Sequence, residues 1–394
     1  MQEKIYLPVN WTDGMKINKH HFRAEQQACN WQLAMDSRAW LNEYNYGLFL
    51  QTGAPGAGRP VVQTTDNQQQ VSVRLLSCQA LTPGGHLVFF GEESLLPGGS
   101  ENYFKGVVTG LQMPYAQLAA SNADYYVVLA VDPYNRQPVG EPDTGESQLR
   151  APFTAPAYSL QLVPHHEMPA GRPSAFYLPV GKIRVRDGKV LSDEEYIPPC
   201  TCTAAHPALV ELHATLEHFF GSMEMHVLRI QQKIIQKRQQ NNLATVIMEL
   251  CDKMNVYMSG EYQRILQEYK YQPPVHMFRA VAGLARLMKN SLDIYAGTVK
   301  DELLAYFSEW CAVTQGELES AAVSLCNHRY SHIEIREAAR QVLQFTGLVL
   351  PLFDSLAALE YIGKKKEAGI FVKEHLVVPG EEAPVVRRRS FLAE

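Results

Sequence analysis

Apolar and polar positions alternate along much of the first 200 residues with the period of β-strands. Val71, Val73 and Leu75 are separated by polar neighbours, which predicts a strand with one buried face. A Pro-Gly-Gly turn at 83–85 precedes a second apolar run at 87–90, which we interpret as a partner strand. This half of the chain is therefore predicted to be a β-structure.

Three further strand signals strengthen that prediction. Segments 125–131 and 158–163 are rich in β-branched and aromatic residues. Segment 182–191 contains Asp-Gly between two apolar runs, and this pair tolerates the positive φ angles of a tight hairpin turn. Segments 53–60 and 133–157 contain many Gly and Pro residues and are predicted to be loops. Many short strands of this kind predict a β-sandwich or a β-barrel.

Helical signals flank the strands. Residues 21–44 lack Gly and Pro and predict one early helix, with Cys29, Leu33, Trp40 and Tyr44 on its packing face. From about residue 204 the apolar period becomes helical, in steps of three and four. Such a near-heptad seam packs lengthwise against other helices, in a bundle or between copies in a trimer. The seam consists of Leu209, Leu212, Leu216, Phe219, Met223, Val227, Ile230 and Ile234.

Several shorter helices are predicted after the seam, one of them capped by Asn242. They give an up-and-down bundle of four or five helices. Strands first and helices second predict an α+β fold: an N-terminal antiparallel β-sandwich followed by the helical bundle. We predict a sandwich domain at 1–203, a bundle domain at 204–362 and a short tail at 363–394.

Composition narrows the functional classes. The chain has 394 residues, 46% of them hydrophobic, and a net charge of −5 that provides no basic footprint for nucleic acid. No run of about 18 apolar residues is present, so we expect no direct membrane insertion. Seven scattered cysteines and no export signal favour a cytoplasmic protein with reduced thiols.

The sequence offers little chemistry. It contains no phosphate-binding loop, dinucleotide fingerprint, nucleophile elbow or H-E-x-x-H motif, and we predict no enzyme activity and no cofactor. The strongest metal candidate is Cys200-x-Cys202 with His206 and His213, since zinc favours thiolate and imidazole ligands. A strand end followed by a helix start explains the same residues. A metal-dependent enzyme therefore stays open only as an alternative.

The most specific pattern lies near the N-terminus. Residues 11–23 resemble the opening motif W-x-E-G-M-x-L-x-P-Q-H-F-Q of the TssK family of type VI secretion baseplate proteins. Asp13 and Ile17 match it by type, whereas Lys19, His20 and Arg23 depart from it. The outright matches are Trp11, Gly14, Met15, His21 and Phe22.

Weaker resemblances to the same family follow in order along the chain. Segment 196–200, Y-I-P-P-C, is similar to the family's exit from the β domain into the bundle. Segments 281–285 and 330–332 are similar to an L-A-G-x-L helix and to a Y-x-H pattern before the last helix. The resemblance extends over roughly residues 5–362.

The resemblance implies a non-enzymatic structural protein. A member of this family would form a homotrimer, bind the TssF–TssG wedge through its β domain and face a membrane complex at its other end. It would be cytoplasmic, at the inner face of the inner membrane. A phage-tail or receptor-binding protein of the same architecture is the first alternative. The partner-binding candidates are Trp11, Asp13, Gly14, Met15, His21 and Phe22, although core packing also explains Trp11 and Phe22.

One departure from the family concerns the end of the chain. The family carries a further C-terminal domain that docks on the membrane complex, whereas only a short tail follows the predicted bundle here. We therefore expect a different route to the membrane complex, through the tail or another subunit.

Overall fold

The structure is a computed structural model, and it describes residues 4–50, 62–66, 70–91, 107, 110–114, 118, 123–142, 145, 148–168, 173–186, 189–295, 297–311 and 314–363. One helix opens the chain, the strands follow, and the remaining helices come last. The strands are β1 (Gly47–Leu48), β2 (Val62–Asp66), β3 (Gln70–Leu75), β4 (Cys78–Leu81), β5 (Leu87–Phe90), β6 (Gly110–Pro114), β7 (Asp124–Val139), β8 (Phe153–Pro164), β9 (Tyr177–Arg186) and β10 (Lys189–Ser192). The helices are α1 (Lys19–Trp40), α2 (Pro207–Gln236), α3 (Asn242–Gln267), α4 (Val275–Asp293), α5 (Thr298–Cys311), α6 (Gln315–Asn327) and α7 (Ile335–Ala358).

Two antiparallel sheets form the centre of the β region. One has the strand order β10-β9-β7-β8 and the other the order β2-β3-β6. The edge strands meet in pairs, β2 with β10 and β6 with β8, so that the sheets face each other. The alternating residues Val71, Val73 and Leu75 of β3 are buried there, as their pattern predicts. The predicted α+β class with antiparallel sheets is confirmed.

Strand β7 explains the continuous apolar run in the sequence. Residues 126–131 are buried on both faces of the sheet, so no polar residue interrupts them. Strands β7 and β8 also extend into 133–139 and 153–157, with a register shift between Asp132 and Arg136. The prediction of a loop over 133–157 is therefore wrong at both ends, because Pro133, Pro138 and Pro156 lie in long strands that pass through a bulge.

The hairpins follow the predictions in part. Strands β9 and β10 pair from Lys189 opposite Arg186, as the Asp-Gly signal predicts, although the two turn residues lie outside the described residues. The turn at 83–85 joins β5 to β4, not to the strand at 71–75. The sequence pattern does not reveal strand β4, because it is short and its first three residues are all buried, so it shows no alternation.

The passage from strands to helices is buried. Leu48 donates its N–H to the carbonyl of Pro199, and the N–H of Thr201 returns a bond to Leu48. Gly47 has a φ of +107°, and a Cβ there would lie 2.0 Å from the Pro199 oxygen. One continuous hydrophobic core extends from the sheets through Ile197 and Cys200 into the bundle. The division at residue 203 stays a prediction.

The described residues after 204 contain six helices instead of four or five. Pro207 occupies the first turn of α2, where its missing N–H is not needed. Helix α3 is capped by the side chain of Asn241, not Asn242, which accepts from the N–H of Ala244 at 2.8 Å. Helix α6 begins with a capping box between Thr314 and Glu317.

Helix α7 is long and apolar enough, by length and composition, to cross a membrane. It packs against α2, α4, α5 and α6, and its apolar face is buried by them. The core helix of a folded domain satisfies the same length and composition criteria, so this finding is weak evidence for a span.

Candidate partner-binding surface

The segment before α1 is extended and is held to the protein at a few points. The ring of Tyr6 stacks on that of Tyr134, with centroids 4.1 Å apart. The N–H of Val9 donates to a carboxylate oxygen of Glu25 on α1 at 2.9 Å. These contacts fix the direction of the segment while leaving most of its side chains exposed.

A turn and a helix cap shape the predicted motif. The N–H of Met15 donates to the carbonyl of Thr12, and Gly14 has a φ of +78° at the position of this turn that favours glycine. The side chain of Asn18 accepts from the first turn of α1, and His21 Nδ1 accepts from the N–H of Asn18 at 3.3 Å. His21 thus performs the role that Glu or Gln has in most capping boxes.

The aromatic residues of the motif lie together at the surface. The rings of Trp11 and Phe22 are 6.4 Å apart, and His21 meets Trp11 edge-on at 6.0 Å. Trp11 is 45% exposed and Phe22 63% exposed. The alternative explanation, that both residues pack in the core, does not agree with this exposure. We call Trp11, His21 and Phe22 the N-terminal aromatic surface.

The remaining motif residues have smaller roles. Asp13 and Gly14 are exposed at the tip of the turn, and Met15 is half-buried. Neighbouring apolar side chains add to the exposed area: Ile5, Leu7 and Ile17. A group of exposed apolar side chains of this size is typical of a surface that another molecule covers.

Helix α1 rests on the sheets through small residues. Ala28 and Ala34 are its buried side chains. Gly85, with a φ of +83°, lies so close that a Cβ there would be 2.2 Å from the carbonyl oxygen of Ala34. Leu33 and Trp40 are exposed, so the predicted packing face is wrong. The helix instead packs through alanines, because close approach to a turn leaves no room for larger side chains.

The predicted seam on α2 lies inside the chain. All eight of its residues, from Leu209 to Ile234, are buried, none more than 6% exposed. Helices α3 and α7 cover it. The seam therefore packs within the bundle and gives no reason for three copies to associate, so a trimer has to rest on other grounds.

The residues considered as candidate metal ligands each have a structural partner. His206 Nδ1 accepts from the N–H of Ala208 at the start of α2, and His213 Nε2 bonds the carbonyl of Ile265 at 2.8 Å. Burial raises the pKa of the Cys200 thiol well above its usual value, and this thiol donates to the carbonyl of Pro198 at 3.2 Å. Within the described ranges, no three His, Cys, Asp or Glu side chains gather where they could hold a metal ion.

One polar cluster has no counterpart in the sequence analysis. A single carboxylate oxygen of Glu334 accepts from the hydroxyl of Tyr126, bonds Lys182 Nζ at 2.9 Å and faces His165 Nε2 at 3.2 Å. Burial and the neighbouring carboxylate raise the pKa of Tyr126. Glu334 precedes α7 and the other three residues belong to the β region, so the cluster joins the two parts. No local sequence pattern reveals this cluster, since Lys182 and Tyr126 lie 152 and 208 positions from Glu334 along the chain.

The solved structures that match the chain do so at low sequence identity. A structure of TssK from the type VI secretion system of EAEC, bound to nanobody nb18, has a TM-score of 0.45 at 14% identity, over 84% of this chain and 99% of that one. A crystal structure of TssK has a TM-score of 0.47 at 15% identity, over 88% and 70%. A cryo-electron microscopy structure of a TssK-TssF-TssG baseplate subcomplex has a TM-score of 0.41 at 15% identity, over 90% and 99%.

The family comparison is more informative. No curated protein matches the chain. A family model for bacterial type VI secretion proteins, described by the names EvfL, ImpJ and VasE, matches residues 65–306, which is more than half of the chain. The match extends from the end of β2 into α5 and so includes both strands and helices. The chain belongs to this family of bacterial type VI secretion proteins.

Proposed function

We propose that the protein is a non-enzymatic structural component of a type VI secretion baseplate, a homotrimeric adaptor between a TssF–TssG wedge and the envelope-anchored complex. The observation that supports this most directly is the N-terminal aromatic surface, because aromatic residues of a family-like motif are exposed there and available to a partner. Membership of a type VI secretion family supports the same assignment. The protein would work in the cytoplasm, at the inner face of the inner membrane, held there by its partners.

The proposed work is mechanical. The β region, with boundaries at 1–203, would contact the wedge through Trp11, His21 and Phe22. The turn at Asp13 and Gly14, with Met15 behind it, would set the direction of that contact. Aromatic side chains of this kind bury much area while losing little conformational entropy, which suits them to anchor an interface. The bundle, 204–362, and the tail, 363–394, would face the envelope.

The trimer needs a surface other than the α2 seam. The outer faces of α2 and α3 leave Met225, Leu228 and Val256 exposed. Gln231 of α2 donates to Asp252 of α3, and Gly221 of α2 lies beside Tyr262 of α3. The two helices therefore run antiparallel, which places Val256 of α3 at the level of Met225 and Leu228 of α2. We propose this outer face for the contacts between copies.

The test combines light scattering with co-purification of TssF and TssG. The expected mass is that of three 44.3 kDa chains alone, and a larger complex with the wedge proteins. Trp11→Ala should abolish wedge binding without changing the mass of the free protein or its thermal stability. The matched control is Trp40→Ala, a more exposed tryptophan at the far end of the 22-residue helix α1, which should bind normally.

Two outcomes would contradict the proposal. A monomer that ignores the wedge would remove both the trimer and the baseplate role. If Trp11→Ala and Trp40→Ala both lost wedge binding to the same extent, or if both kept it, the N-terminal aromatic surface would not be the contact.

A further inference from the structure

A groove of about 800 Å³ lies where the β region meets the bundle. Tyr126 and His165 form one wall, and α4 with the segment before α7 forms the other. Its volume is that of a site for a ligand or a short peptide, not of a packing defect. It does not include the N-terminal aromatic surface, so the inference stands apart from the proposed wedge contact.

The floor of the groove is apolar. Four buried apolar side chains line it: Val275 and Phe278 of α4, Leu325 of α6 and Val342 of α7. The ring of Tyr330 packs against Phe278, with centroids 5.4 Å apart. These side chains form a fixed, concave surface that would take one apolar side chain of an occupant.

The rim is cationic. Arg279 and Arg329 are exposed, and neither forms an ion pair with any residue that the structure describes. The guanidinium of Arg279 lies 5.5 Å from the centre of the Tyr44 ring, a contact that orients it over the groove edge. Glu334, the acidic residue of the lining, is already neutralised by Lys182. Positive charge therefore remains uncompensated here, in a chain whose net charge is −5.

We propose that this groove binds an acidic peptide segment of a partner protein, with one aromatic or aliphatic side chain on the apolar floor and carboxylates against Arg279 and Arg329. Charge complementarity selects this occupant, because unpaired guanidinium groups favour carboxylates and the floor favours an apolar group. Two arginines above an apolar floor do not make the extended basic stripe that a nucleic acid needs. Contacts from both walls would let the bound segment hold the β region against the bundle.

The test is fluorescence anisotropy of labelled peptides with the full chain at low ionic strength. The probe is the acidic peptide Gly-Asp-Glu-Phe-Asp-Glu-Gly. The control is the amide peptide Gly-Asn-Gln-Phe-Asn-Gln-Gly, which has the same shape and uncharged side chains. The acidic peptide should bind saturably and at least about fivefold more tightly than the amide peptide. Raising the salt from about 50 to about 300 mM should weaken its binding, because rim charges are screened.

Variants of the rim locate the binding. The double variant Arg279→Gln, Arg329→Gln should bind the acidic peptide at least about fivefold more weakly than the parent, and it should bind the amide peptide as the parent does. Both side chains are exposed, so the variant should fold, which thermal unfolding checks. Arg229→Gln, an exposed arginine on α2 that does not line the groove, is the matched control and should bind normally.

The proposal is overturned by any of three results. These are no saturable binding of the acidic peptide, equal binding of the two peptides, or equal binding by the parent and the double variant. Equal binding of the two peptides would show a purely apolar site.

Discussion

At the scale of single residues, His332 is held in one protonation state by both of its ring nitrogens. Its Nε2 lies 2.9 Å from the carbonyl oxygen of Tyr46 and must donate, while Nδ1 faces the hydroxyl of Tyr330 at 2.9 Å. The ring is 4% exposed, and burial lowers its pKa from 6.5 to about 4. A neutral imidazole satisfies all these contacts, whereas an imidazolium would bury an unpaired charge.

This arrangement predicts a loss of stability in mild acid. The unfolded chain takes up the proton below about pH 6.5 and the folded protein only near pH 4, so stability is full above 6.5 and falls between these values. Between pH 7 and pH 5 the free energy of unfolding should drop by about 2 kcal/mol from this residue. Urea denaturation at the two pH values measures it.

The control separates His332 from other titrating groups. His332→Gln should be less stable at pH 7, because the polar contacts are lost, but its stability should change little down to pH 5. His218→Gln, on the exposed face of α2, should keep the parental pH dependence. An unchanged pH dependence in His332→Gln would contradict the assignment.

Residue roles in the N-terminal motif could be predicted only in part. The residue types indicate a segment that binds a partner or packs in the core. Whether Trp11 and Phe22 point inward or outward depends on what the fold places beside them. Tertiary packing sets that environment. No residue-level propensity therefore distinguishes an exposed aromatic pair from a buried one.

At the scale of elements, α2 shows what an apolar period can and cannot establish. Its steps of three and four predict a helix with one packed face, and α2 indeed buries that face. The same pattern does not say whether the covering helices come from one chain or from three. Here α3 and α7 cover it, because their own apolar faces need the same burial.

Matched leucines test this burial. Leu216 is fully buried on α2, whereas Leu228 is 40% exposed on the same helix. Leu216→Ala should lower the free energy of unfolding by about 2–5 kcal/mol, since it leaves a cavity in the core. Leu228→Ala should lower it by less than about 1 kcal/mol. Denaturant unfolding measures both, and similar small losses would show that the seam is not in the bundle core.

At the scale of the whole molecule, the β region and the bundle are joined by both apolar and ionic contacts. The hydrophobic core is continuous between them. Lys182 on β9 is only 12% exposed, and Glu334 before α7 is its partner. Arg336 on α7 and Glu195 after β10 form a second, much more exposed pair at 2.7 Å.

Burial predicts different consequences for the two pairs. Glu334→Gln should lower the free energy of unfolding by about 1–3 kcal/mol, because the largely buried Lys182 loses its counter-charge. Glu195→Gln should change it by less than about 0.5 kcal/mol, since water screens that pair. Urea denaturation compares them. Equal effects would show that the Glu334 cluster does not hold the two parts together.

The sequence by itself determined the features with a strong local signal: the alternating strands β3 and β9, the continuous apolar run of β7, the helical character of the chain after residue 204 and the order of strands before helices. These features depend on contacts between near neighbours, which spacing encodes. Tertiary structure alone decided the exposure of the N-terminal aromatic surface, the cover over the α2 seam, the partners of Glu334 and the charged rim of the groove. Each depends on residues far apart in sequence that only the folded chain brings together, and no local pattern encodes which ones meet.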